Sequence, residues 1–230
     1  DALNKISWIK GSDYKIRFSA ASSGYQSVLP LSLITRFLSD LVLDNANKED
    51  LSIKEKKQIE KEVNKVMNDK SLTDGVKFAM LRNISSRFKY SCFVNIVEEM
   101  ELNLYPESQR SVLFDLLSYA NKIELNRLVL TTHSPYVINY LTLAAKAFLL
   151  TQKISANETL QERIKEVVPA DSAIDPARLR IYELKDGGVF RLSTYEGLPS
   201  DENFLNIQLG VTNELFDQLL EIEQEFDYKN

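Results

Sequence analysis

Two short β-favouring runs, residues 92–97 and 127–131, stand either side of one helix-length segment, and this arrangement limits the fold more than any other feature of the chain. The first run, Cys92-Phe93-Val94-Asn95-Ile96-Val97, is mostly apolar and ends at two adjacent acids, Glu98 and Glu99. After Pro106, residues 107–123 carry helical periodicity. The second run, Arg127-Leu128-Val129-Leu130-Thr131, leads into Thr132-His133-Ser134-Pro135, and residues 136–151 again read as a helix. Strand, helix, strand, helix predicts a parallel sheet. Parallel strands end on one rim, and that rim is where open α/β sheets bind ligands. Here it would carry a glutamate pair and the single histidine of the chain.

The flanking segments fit around this unit. Alternation over residues 14–18 predicts a strand. Ser and Gly at 22–24 precede an apolar-periodic helix over residues 28–43, with Pro30 tolerable in the first turn and bending the helix if it lies deeper. A polar turn follows at 45–50. Residues 51–70, with Ile59, Val63, Val66 and Met67 on one face, read as an amphipathic helix, and residues 73–88 as a second one packed beside it. Together they suggest a helical insertion spanning residues 44–89 within a single domain of residues 1–230. In the tail, Asp186-Gly187 between two β-favouring runs, 179–184 and 189–192, predicts a hairpin. A last helix is expected over 213–226, so residues 176–230 form a C-terminal extension.

Composition narrows the class. With 230 residues, 44% of them hydrophobic, the chain can bury one core. Its net charge of -5 gives no electrostatic footprint for nucleic acid. Cys92 is the single cysteine, so no internal disulfide forms, and a reducing, cytoplasmic setting is expected. No run approaches the ~18 apolar residues of a membrane span; the longest, around 141–150, is interrupted by Thr142 and Lys146. No signal peptide is visible, and no membrane partner is expected. The chain begins at Asp1 rather than Met, which suggests a piece of a longer protein.

Three segments carry chemistry. Ser22-Ser23-Gly24-Tyr25-Gln26 offers hydroxyls, a residue that lets backbone N–H groups come close, and the positive end of the helix that follows. Alone it reads as a helix N-cap. Glu98-Glu99, leaving a strand in different directions, can fill two roles with two carboxylates. Alone they read as a solvated acidic loop. His133 can donate and accept, and so can sense a phosphate and pass on a proton. Alone it reads as a structural histidine.

Together and in this order, the three segments resemble the signature (L-S-G-G-Q), Walker B and His-switch motifs of ABC-type ATPases, in the style of their RecF-like, OLD-like and SMC-like relatives. The resemblance covers residues 19–151. It implies a P-loop NTPase half: an α/β lobe with a partial parallel sheet flanked by helices. It implies ATP as ligand, with Ser22, Ser23, Gly24 and Gln26 capping the γ-phosphate of a nucleotide held by another subunit. Glu98 would hold Mg²⁺ through water, Glu99 would be the general base and His133 would contact the γ-phosphate. Glu98 stands where transporters have Asp, which points to the RecF-like branch, and Met100 stands where Pro is usual.

A phosphate loop, G-x-x-x-x-G-K-[ST], opens at none of the seven glycines. The expectation is an ATPase lobe separated from its phosphate loop, unable to bind ATP tightly alone, whose parent works as a head-to-tail homodimer on a DNA-linked or phage-defence task. A nucleic-acid partner rests on family analogy alone. Two other classes compete. One is a non-catalytic dimerisation or effector-docking module, favoured if the insertion exposes apolar residues. The other is a metal-dependent nuclease using Glu98, Glu99 and Glu101, disfavoured because Asp171, Asp175 and Asp186 lack a strand-end arrangement.

Overall fold

A computed structural model describes residues 7–47, 53–87 and 91–229. A small antiparallel hairpin, β1 (Trp8–Lys10) and β2 (Lys15–Arg17), leads into the long helix α1 (Ser23–Asn47). Two helices follow, α2 (Ile53–Asn68) and α3 (Asp74–Arg87). Then comes the unit that organises the rest: β3 (Val94–Glu98), α4 (Pro106–Asn121), β4 (Arg127–Thr131) and α5 (Pro135–Lys153). The tail holds α6 (Glu158–Val167), the hairpin β5 (Tyr182–Lys185) and β6 (Gly188–Arg191), the short pair β7 (Thr194–Tyr195) and β8 (Leu198–Pro199), and α7 (Phe204–Lys229).

β3 and β4 are parallel, in register from Val94 opposite Arg127 to Glu98 opposite Thr131. The molecule is thus mixed α/β, mostly helical, and its parallel sheet has two strands among the described residues. One face of that sheet packs inward. Val97 joins Val112, Leu113, Phe114, Leu116 and Leu117 of α4, Val137, Leu141 and Ala144 of α5, and Val168 in one core, with Leu128 and Leu130 against it. The burial follows from period-two alternation on the strands and the apolar stripes of α4 and α5. The opposite face leaves Val94, Ile96 (67% exposed) and Val129 in solvent. Parallel strands are ordinarily covered on both faces.

Proline at the first helical position starts both α4 and α5. Its missing N–H is one of those without an intrahelical partner anyway, and its φ suits a helix start. Asn126, nearly fully buried, fixes the entry to β4: its side-chain oxygen accepts the Phe93 N–H at 3.1 Å and its amide donates to the Tyr119 carbonyl at 3.1 Å.

Several boundaries differ from the sequence reading. α1 begins at Ser23, five residues before the expected start, so Pro30 lies in its third turn, where the Gln26 carbonyl loses its usual donor. The helix nevertheless runs on to Asn47, through the first part of the expected polar turn; residues 48–50 lie outside the described residues, as does Phe88 at the end of the second predicted insertion helix. Within α1, Ser23–Asp44 is long and apolar enough, by length and composition, to cross a membrane, although its polar residues break the run when apolar positions alone are counted. α1 turns the small polar residues Thr35 and Ser39 inward with Val42, and leaves Leu33, Ile34 and Phe37 exposed. The Asn95 amide on β3 donates to the Thr35 hydroxyl at 3.0 Å, and Lys122 at the end of α4 pairs with Asp40 at 3.2 Å. α7 starts nine residues earlier than the sequence suggests, and α6, β1 and the β7–β8 pair were not anticipated. The predicted hairpin forms, with Asp186 and Gly187 both at positive φ, 51° and 74°.

Candidate functional site

The C-terminal rim of β3 and β4 carries the acids and the imidazole on adjoining strands. Glu98 ends β3 and pairs in register with Thr131, the last residue of β4. The next residue, Glu99, turns out of the sheet with φ at 48°, in the left-handed region that costs a non-glycine residue energy. Its N–H donates to the Thr131 carbonyl at 3.0 Å and lies 3.3 Å from the Thr131 hydroxyl, which fixes the turn against β4. His133 leaves β4 two residues later. Its Nε2 stands 3.4 Å from Glu99 Oε1, with the imidazole 83% exposed and the carboxylate 48%. The pair is open to solvent, so a ligand can reach both groups.

The two loops are tied together below this pair. Glu101 Oε1 accepts the His133 backbone N–H at 2.6 Å, while Glu101 Oε2 is enclosed without a partner. The Ser134 hydroxyl donates to Gln109 Oε1 at 2.6 Å in a buried contact, and Gln109 Nε2 donates to the Leu104 carbonyl at 3.0 Å. Gln109 on α4 therefore spans the acidic loop and the histidine loop. A charge-assisted bond such as that from the His133 amide to Glu101 is worth roughly twice a neutral one. The result is a histidine whose backbone is anchored and whose ring is exposed.

The remaining sequence-predicted residues sit at the start of α1. Ser22 precedes the helix and Ser23 opens it, both exposed. Gly24 faces the loop after Glu99: a Cβ there would stand 3.0 Å from the Asn103 carbonyl oxygen and 3.4 Å from Leu104. Asn103, itself at φ 62°, directs its amide to Ser27 Oγ at 3.4 Å. Gln26 is exposed and folds back on its own backbone, its amide donating to the Ala21 carbonyl at 2.7 Å. The structure thus brings Glu98, Glu99 and His133 to one rim. It sets the Ser22–Gln26 turn beside the Asn103–Leu104 loop, and the hydrogen bonds of that turn run to its own backbone and to this loop rather than to the acids or the histidine.

Glu101 as an anchor, Gln109 and Asn126 were not identified from the sequence as parts of the site. The signal for Glu101 was its place two residues after the glutamate pair. Nothing in the sequence marks Gln109, which sits on a helix face among apolar neighbours. Among the described residues, no three His, Cys, Asp or Glu side chains form a metal-holding cluster. Mg²⁺ retains several waters and uses one or two carboxylates, so the exposed Glu98 suits it as a donor. No family model, curated protein or solved structure matches the chain.

Proposed function

We propose that this chain is the signature, Walker B and His-switch half of an ABC-type ATPase, acting on a triphosphate whose phosphates are cradled by another lobe or subunit. The observation that carries the reading is the contact of Glu99 with His133, 3.4 Å apart at the ends of two parallel strands. Phosphoryl transfer needs positioning and charge stabilisation more than covalent chemistry from the protein. Glu99 takes the proton from the attacking water. His133, held by its backbone to Glu101, donates to a γ-phosphate oxygen. Glu98 would hold Mg²⁺ through water, and the bound ion would supply charge neutralisation. The Ser23 and Gly24 turn, at a helix N-terminus, would meet a nucleotide on another subunit in a head-to-tail dimer. The uncovered apolar face of β3–β4 supports the reading, because further secondary structure carrying a phosphate loop would cover it.

Replacing Glu99 with Gln in the protein that contains this segment should lower turnover by about 10²–10⁴-fold while ATP stays bound. The segment alone should bind Mg-ATP no tighter than the millimolar range. Micromolar binding by the segment, or unchanged turnover in Glu99→Gln, refutes the assignment. The docking-module reading has its own support, since the insertion exposes Ile53, Met67, Val76, Phe78 and Met80. Under that reading Glu99→Gln leaves function unaltered.

A further inference from the structure

α7 is the most unusual surface of the molecule. Every residue from Ile207 to Phe226 is exposed, although Leu209, Leu215, Phe216, Leu219 (64%) and Ile222 (65%) are apolar. A helix apolar on one side and solvated all round lacks the packing that ordinarily sustains it. Between Phe204 and Phe226 the sequence has five carboxylates and no Lys or Arg. Four of them, Glu214, Asp217, Glu221 and Glu225, are spaced three, four and four residues apart and so form one row along the helix. Leu215, Leu219 and Ile222 form the adjacent row.

The same spacing with the opposite sign occurs on α2. Lys54, Lys57, Lys61 and Lys65 are again three, four and four apart, and all four are exposed. The α2 face opposite them, with Val66 buried and Ile59 and Val63 half-buried, is the apolar one. Each row runs over eleven helical steps, about 16 Å at the helical rise. Read in the same chain direction, the two rows match charge for charge. α3, which packs against α2, exposes Phe78 (71%) and Met80, and Met67 is exposed at the end of α2.

We infer that α7 of one copy of this chain docks along the α2–α3 insertion of a second copy, with acids on lysines and the Leu215–Leu219–Ile222 row on the exposed apolar residues of the insertion. Within one chain α7 is exposed from Ile207 to Phe226. Pairing α7 with another α7 would set two carboxylate rows together. Each copy has one of each surface, so two chains exchange two equivalent contacts and close with two-fold symmetry. Exposed ion pairs supply little affinity and mainly set partner and register, while the apolar residues supply the buried area. This interface is separate from the nucleotide site and stands whether or not that site turns over ATP.

The test is the solution mass of the full chain by sedimentation and light scattering at low and high salt. The wild type should have twice the monomer mass at low salt and dissociate more readily as salt rises. The triple variant Glu214→Lys, Asp217→Lys, Glu221→Lys should be monomeric with unchanged helical circular dichroism, as should Lys54→Glu, Lys57→Glu, Lys61→Glu. Mixing the two variants restores acid–lysine matches at both contacts and should regenerate the dimer mass; combining all six changes in one chain should do the same. A monomeric wild type, a dimer indifferent to either reversal, or failure of the mixture to associate overturns the proposal.

Discussion

Glu101 carries a larger share of the site than its position suggests. One oxygen holds the His133 amide at 2.6 Å and the other is enclosed without a partner, so the carboxylate is committed to that single contact. Glu101→Ala should lower stability by roughly 1.5–3 kcal/mol, the scale of a hydrogen bond to a charged group, and should speed hydrogen exchange at the His133 amide. Glu99 lies under the opposite pressure. Its φ of 48° is paid for by the fold, and the side chain adds contact only with an exposed imidazole. Glu99→Gly should therefore raise stability by about 1 kcal/mol in chemical denaturation while removing the carboxylate on which turnover is proposed to depend. The shared rim of Glu98, Glu99 and His133 was readable from the sequence because each follows the end of an apolar run. Glu101 and Gln109 were not, because their roles are set by backbone and hydroxyl groups 32 and 25 positions away.

Among the elements, those with strong local signals match the sequence reading: β4 residue for residue, and the β5–β6 hairpin through its Asp186-Gly187 turn. Those set by tertiary packing do not. α1 begins early and continues through Pro30 because Thr35, Ser39 and Val42 are held against β3 and α4, which outweighs the lost hydrogen bond. Pro30→Ala restores a donor to the Gln26 carbonyl and should raise the melting temperature, corresponding to about 1–3 kcal/mol. α4 carries a group whose ionisation works against the fold. Burial, with the Asp171 carboxylate as a second cause, raises Asp115 above its ordinary value of 3.8. The folded state thus favours the neutral acid, so the contribution of Asp115 is complete below about pH 4 and is lost as pH climbs through the raised value. Asp115→Asn should accordingly be more stable than wild type at pH 7, with the difference vanishing in thermal melts below pH 4.

For the whole molecule, the exposed apolar surfaces of α1, α7 and the outer face of β3–β4 set it apart from a self-sufficient domain. The sequence foretold mixed α/β architecture with parallel strands but not the extent of this exposure, since a residue's apolar character does not say which face of an element finds a neighbour. The β3–β4 pairing also has a consequence in time. The strands pair 33 positions apart, and during synthesis at roughly 5–20 residues per second the second emerges about two to seven seconds after the first. α1 is already made by then, and Asn95 can reach Thr35 before β4 exists. The long first helix would serve the growing polypeptide as a temporary shelf, on which the glutamate-bearing strand rests until the histidine-bearing one arrives beside it.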